Sequence, residues 1–132
     1  MDGATYFLTW RLRTGIPELV PAERDIVASV LKHSQGTKYA LHAYVIMNDH
    51  VHALLTPQPD TTLERIVRAW KSVSSRRMKT GRPDAAAIWQ REYFDRIVRD
   101  RSEFLEKAQY ILNNPWKRWP ELPEYPWLGV EQ

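Results

Sequence analysis

Cysteine is absent from this chain, so no disulfide can staple it and no thiolate can hold a metal. Any metal must therefore be bound by histidine, amide or carboxylate side chains. No apolar run approaches the length of a membrane span, and the N-terminus lacks the charged, apolar and small-residue regions of a signal peptide. There are no internal repeats and no low-complexity tract. Disorder is excluded too, because 43% of the 132 residues are hydrophobic and 27% charged, the balance of a soluble single domain with a real core. These absences together suggest a cytoplasmic protein.

The formal net charge is only +3, but its distribution is uneven. Between positions 65 and 101 lie Arg65, Arg68, Lys71, Arg76, Arg77, Lys79, Arg82, Arg91, Arg96, Arg99 and Arg101. Such a cluster is either a solvated helix face or the electrostatic footprint for a phosphate backbone.

Hydrophobic periodicity organises the chain as β-α-β-β-α-β-α. Residues 5–13 have strand composition and end at the turn signal Thr14-Gly15. Pro21 opens a helix with Ile26, Val27, Val30 and Leu31 at helical spacing, and Gly36 suits a left-handed cap beyond it. Residues 39–47 form a second strand, and Asn48-Asp49, residues that tolerate positive φ, turn it back into a third over 50–56. Thr61-Thr62-Leu63-Glu64 reads as a capping box for a helix reaching about Lys79. Its apolar stripe is Leu63, Ile66, Val67, Trp70 and Val73, with Arg65, Arg68, Arg76 and Lys79 as a basic ridge beside it. Residues 88–89 and 94–98 read as short strands. A last helix starts near Asp100 and is expected to stop at Asn114-Pro115, since the residue before proline is driven from helical geometry. The first six elements follow the ferredoxin-like βαββαβ order, an α+β fold with an antiparallel sheet and two helices on one face. We divide the chain into a domain over 1–115 and a Pro/Trp-rich tail over 116–132, whose Pro120, Pro123 and Pro126 exclude regular helix or a central strand.

Chemistry concentrates at His50-Val51-His52. Alternation along a strand places both imidazoles on one face and Val51 on the other with Ala53 and Leu55. Two readings are open: ordinary strand histidines, or a metal-binding edge using neutral ring nitrogens. Tyr110 and Asn114 stand one helical turn apart and so share a helix face. Tyr110 is either a core aromatic beside Phe104, Leu105 and Ile111, or a nucleophile. A phenol attacks a phosphodiester poorly at neutral pH without a nearby cation, which a metal at His50 and His52 supplies, with Asn114 as a third ligand oxygen. Asn113 is the alternative to Asn114. His42 shares a face with Tyr44 and Ile46 by alternation and is given no role.

Four ordered blocks carry a family resemblance across nearly the whole chain: 41–47, His50-Val51-His52, 89–96 with Arg99, and Tyr110-Ile111 with Asn114-Pro115. The chain resembles the single-tyrosine HUH transposases, and most closely the REP-associated tyrosine transposases. The resemblance implies that His50, His52 and Asn114 bind a divalent cation, Mg2+ or Mn2+. It implies that Tyr110 cleaves single-stranded DNA through a 5′-phosphotyrosine link, releasing a 3′-hydroxyl, and that rejoining reverses the step. The implied partner is a hairpin of repetitive extragenic palindromes with a single-stranded flank, met by a nucleoid-associated monomer or homodimer. Arg65, Arg68, Arg76, Lys79, Arg91, Arg96 and Arg99 would track its phosphates. One departure stands out: family members usually have Pro-Asn before the first histidine, where this chain has Asn48-Asp49. Two rivals are a non-catalytic nucleic-acid-binding module, which needs no tyrosine, and a hydrolase using water, which never links protein to DNA.

Overall fold

The computed structural model describes residues 3–83 and 87–130. Its elements are β1 (Thr5–Arg11), α1 (Pro21–His33), β2 (Tyr39–Ile46), β3 (His50–Pro57), α2 (Leu63–Met78), β4 (Phe94–Val98), α3 (Arg101–Arg118) and β5 (Leu128–Val130). The sheet order is β4-β1-β3-β2-β5, with every neighbouring pair antiparallel. The first four strands in that order form the expected ferredoxin-like sheet, and β5 is an added edge. Among the described residues no helix is long and apolar enough to cross a membrane.

Strand alternation gives the sheet two buried faces. On one face Leu8, Trp10, Val51, Ala53 and Leu55 meet α1 and α2 through Val27, Leu31, Ile66, Val67 and Trp70. The other face carries Phe7, Val45 and Leu54 and is covered by α3 through Ile111, with Phe104 and Ala108 beside it. His50 and His52 alternate with Val51 and so belong to the α3 face.

The local signals act much as the sequence suggests at α1, which has Pro21 in its first turn and Gly36 at φ +89° just beyond its end. Elsewhere the structure departs from the expectation. The cap of α2 is Thr62, which accepts from the Arg65 backbone N–H at 3.2 Å. That frame leaves no acidic residue at the third position, and Glu64 pairs with Arg68 at 3.1 Å instead of completing a capping box. Asn48-Asp49 does form a two-residue connection, closed by Met47 N–H donating to the His50 carbonyl at 2.8 Å. However, no described non-glycine residue has positive φ. The loop after β1 clamps this turn: Leu19 N–H donates to the Asn48 carbonyl, Leu12 N–H to the Asp49 carbonyl, and the Asn48 amide to Glu18. Residues 88–89 form no strand, only an isolated bridge between Trp89 and Leu12.

Two further corrections affect the site. A bulge lies between Leu41 and Ala43 in the β2–β3 register. It takes His42 off the Tyr44 and Ile46 face, so that its ring meets Phe104 of α3 at 5.2 Å and its Nε2 lies 2.8 Å from Thr56 Oγ1. The last helix also runs through Pro115 to Arg118 rather than stopping before it. Packing overrides the local penalty, because Asn114 and Pro115 are buried and Trp116 packs against the α3-face core. Beyond the helix, Tyr125 donates to the Ile46 carbonyl at 2.6 Å and stacks on Trp119, and β5 then pairs with β2. Gly129 permits that pairing: a Cβ there would lie 2.3 Å from the Tyr44 ring.

Candidate active site

The α3 face brings the sequence-selected residues around one cleft. The β2–β3 turn delivers His50, the strand delivers His52, and α3 delivers Tyr110 and Asn114, all lining a cavity of about 460 Å³ with Arg11 and Lys117. The two imidazole centroids are 4.7 Å apart, and the Tyr110 ring lies 5.3 Å from that of His52. Phe7 supports both, stacking on His52 at 5.4 Å and meeting Tyr110 edge-on at 5.9 Å. Tyr110 stays 44% exposed, which separates it from its buried neighbour Ile111. It is therefore no core aromatic.

Each histidine has one nitrogen occupied. His52 Nδ1 is 2.8 Å from Thr9 Oγ1, a partner that the β1–β3 register places directly opposite. His50 Nδ1 is 2.7 Å from the Asp49 carboxylate. Asp49, the residue that departs from the family's usual pattern, thus orients a histidine. The remaining His52 nitrogen, Nε2, is buried with no hydrogen-bond partner. Burial, then the neighbouring His50, then Arg11 push the His52 imidazolium pKa down to about 3. His52 is consequently neutral near pH 7, with a ring nitrogen that nothing else uses.

The donor chemistry fits a divalent cation. Among the described residues no group of three or more His, Cys, Asp or Glu side chains converges to hold one. Two imidazoles and the buried Asn114 amide, which lines the same cleft, form the available set. With positions left for water or phosphate oxygens, such a set accepts several divalent ions. The Asp49 and Thr9 contacts have the form of the outer-shell bonds that orient ligating histidines.

The basic residues fall differently from the sequence expectation. Arg65, Arg68 and Arg76 are exposed on α2 and Lys79 at its C-terminal cap, across the sheet from Tyr110. Arg91 is exposed in the loop before β4. Arg96 pairs with Glu103, its Nε 2.6 Å from the carboxylate, and the Arg99 backbone N–H donates to the same group at 2.8 Å. Arg96 therefore fastens α3 to β4. The cations beside Tyr110 are ones the sequence reading passed over. Lys117 Nζ is 5.9 Å from the Tyr110 ring centroid, Lys107 Nζ is 5.2 Å from that of Phe7, and Arg11 stands opposite His50 in the ladder. A signal for them existed: Lys107 and Lys117 are three residues before and seven after Tyr110, both on its helix face.

Residues 18–114 match the family model described as "Transposase IS200 like". The REP-associated tyrosine transposase of Escherichia coli K12 is 22% identical over 119 residues, spanning 89% of this chain and 69% of that protein. An uncharacterized Haemophilus influenzae protein is 30% identical over 95 residues, covering 54% of this chain and 52% of that one. Among solved structures, a REP-associated tyrosine transposase bound to a REP hairpin aligns with a TM-score of 0.78 at 22% identity, over 97% of this chain and 77% of that one. A putative transposase from Deinococcus radiodurans aligns with a TM-score of 0.59 at 25% identity, over 86% and 92%. The match to the family model spans the first helix to the tyrosine helix, and the chain belongs to the IS200-like transposase family.

Proposed function

We propose that the chain is a metal-dependent single-stranded DNA endonuclease and strand transferase that acts on hairpin DNA through a 5′-phosphotyrosine intermediate. One observation carries this reading: an exposed tyrosine stands 5.3 Å from a neutral histidine whose Nε2 is buried and unpaired, in a cleft that Arg11, Lys117 and Arg118 also line. The hairpin held by the structural neighbour supports the substrate class.

Magnesium or manganese would be held by Nε2 of His50 and His52 and by the Asn114 amide oxygen, and when bound supplies Lewis-acid polarisation of the phosphate. The chain's own groups do the rest. Phe7 and the α3 backbone hold the Tyr110 ring, so that its Oη attacks phosphorus from a fixed direction. The Oη–P bond forms as the P–O3′ bond breaks; the phenolic proton leaves to solvent, and the departing 3′-oxygen takes one up. Lys117 and Arg11 offset the charge that develops on the phenolate and phosphate oxygens. Attack by a 3′-hydroxyl on the phosphotyrosine reverses the sequence and joins a strand.

The test is a denaturing gel of wild type and Tyr110→Phe with a labelled pool of single-stranded hairpins and Mn2+ or Mg2+. The expected result is a labelled protein band that needs both metal and Tyr110. Cleavage without a protein-linked band would assign the water-using hydrolase, and binding with neither would assign a non-catalytic module.

A further inference from the structure

A second cleft, of about 630 Å³, opens over β1 and β4 and shares Arg11, His52 and Tyr110 with the first. Its floor contains Phe94, a large apolar ring that is 57% exposed. The β1–β4 register sets Phe94 opposite Thr9, on the same face as the histidines. Charged side chains of both signs rim this cleft. Arg11, Lys107, Gln90 and Glu92 line it together with Tyr110, and the Gln90 backbone N–H donates to the Arg11 carbonyl at 2.9 Å.

We propose that this cleft holds an unpaired nucleobase of the DNA strand, stacked on Phe94, with the adjoining phosphate against Arg11 and Lys107. The inference rests on the strand-cleavage reading and adds to it a subsite for the nucleotide next to the scissile phosphate. An aromatic ring more than half exposed is what a base stacks on, and stacking is indifferent to base identity. The two cations attract the backbone. Glu92, also in the lining, presents an acceptor to a base edge.

The test measures anisotropy of a labelled hairpin with a single-stranded flank, bound to the full chain in EDTA, so that binding is read without cleavage. Phe94→Ala is expected to weaken binding about 5- to 150-fold, and Phe94→Trp to retain it. An abasic nucleotide is then moved along the flank. At one position the abasic and Phe94→Ala losses should fail to add, because each removes the same stack. Unchanged affinity in Phe94→Ala, or losses that add at every position, would overturn the inference. Sedimentation showing that Phe94→Ala dissociates a dimer while DNA affinity holds would assign the face to a second copy and overturn it equally. The two readings fail separately: a wild type that binds without forming an adduct sinks the cleavage reading alone, whereas an adduct with Phe94 silent sinks only this one. A wild type that binds no DNA removes both.

Discussion

Replacing Thr9 by valine keeps the shape of a buried side chain and deletes the one hydroxyl that meets His52 Nδ1, at 2.8 Å. Two consequences have different sizes. Without metal, the variant leaves both ring nitrogens of His52 buried and unpaired, which costs about 1–3 kcal/mol of stability. With metal, loss of an outer-shell partner weakens affinity roughly 10- to 100-fold, because the ring is no longer held with Nε2 as the acceptor. Mn2+ at 100 times the wild-type dissociation constant stabilises the wild type by about 2.7 kcal/mol. The same concentration then stabilises Thr9→Val by only about 1.4 to 0.4 kcal/mol. Urea denaturation with and without Mn2+ reads both quantities, and Thr9→Ser should recover the increment. A full wild-type increment in Thr9→Val would refute the argument that this hydroxyl sets the histidine.

Other expectations follow from the same geometry. Since the folded His52 pKa is held near 3 against an ordinary 6.5, the unfolded chain binds the extra proton between those values. Stability of the metal-free protein therefore falls as pH drops from 6.5 toward 3, by up to about 1.4 kcal/mol per unit, and His52→Phe should flatten that slope in denaturation curves. The Asp49 carboxylate acts on His50 from outside, so Asp49→Ala should weaken Mn2+ binding about tenfold or more in calorimetry while leaving it detectable; complete loss would make Asp49 itself a ligand. Glu23 and Arg82 form a partly buried two-pronged ion pair that also ties α1 to the chain after α2, and Glu23→Ala should cost about 1–3 kcal/mol in urea unfolding. Lys117→Met should slow single-turnover adduct formation about tenfold, a barrier change near ~1.4 kcal/mol, and an unchanged rate would remove Lys117 from the reaction.

What could be read from the sequence was whatever depends on neighbours along the chain. Alternation put His50 and His52 on one face, helical spacing put Tyr110 and Asn114 on another, and the element order specified the four-stranded sheet. What depends on the third dimension was not legible. Periodicity separates the basic and apolar sides of α2 but does not say which face of the sheet that helix covers, so Arg65, Arg68, Arg76 and Lys79 gave no sign of lying across the sheet from Tyr110. The bulge at His42 has no glycine to announce it. Pro115 carried a true local signal, outweighed by burial of the residues around it. Nothing along the chain singles out Arg11; only the ladder sets it opposite His50.

The tyrosine helix is anchored at both ends. Asp100 caps its start, accepting from Glu103 N–H at 2.8 Å, and the Arg96–Glu103 pair ties that end to β4. At the other end Trp116 donates to the Leu122 carbonyl at 2.7 Å, and the chain continues through Tyr125 into β5. Those ties hold the helix against the sheet in this structure. In this arrangement a strand joined to Tyr110 under the proposed reading would lie over the histidines of the same chain, and an incoming 3′-hydroxyl would have to meet the link at that cleft.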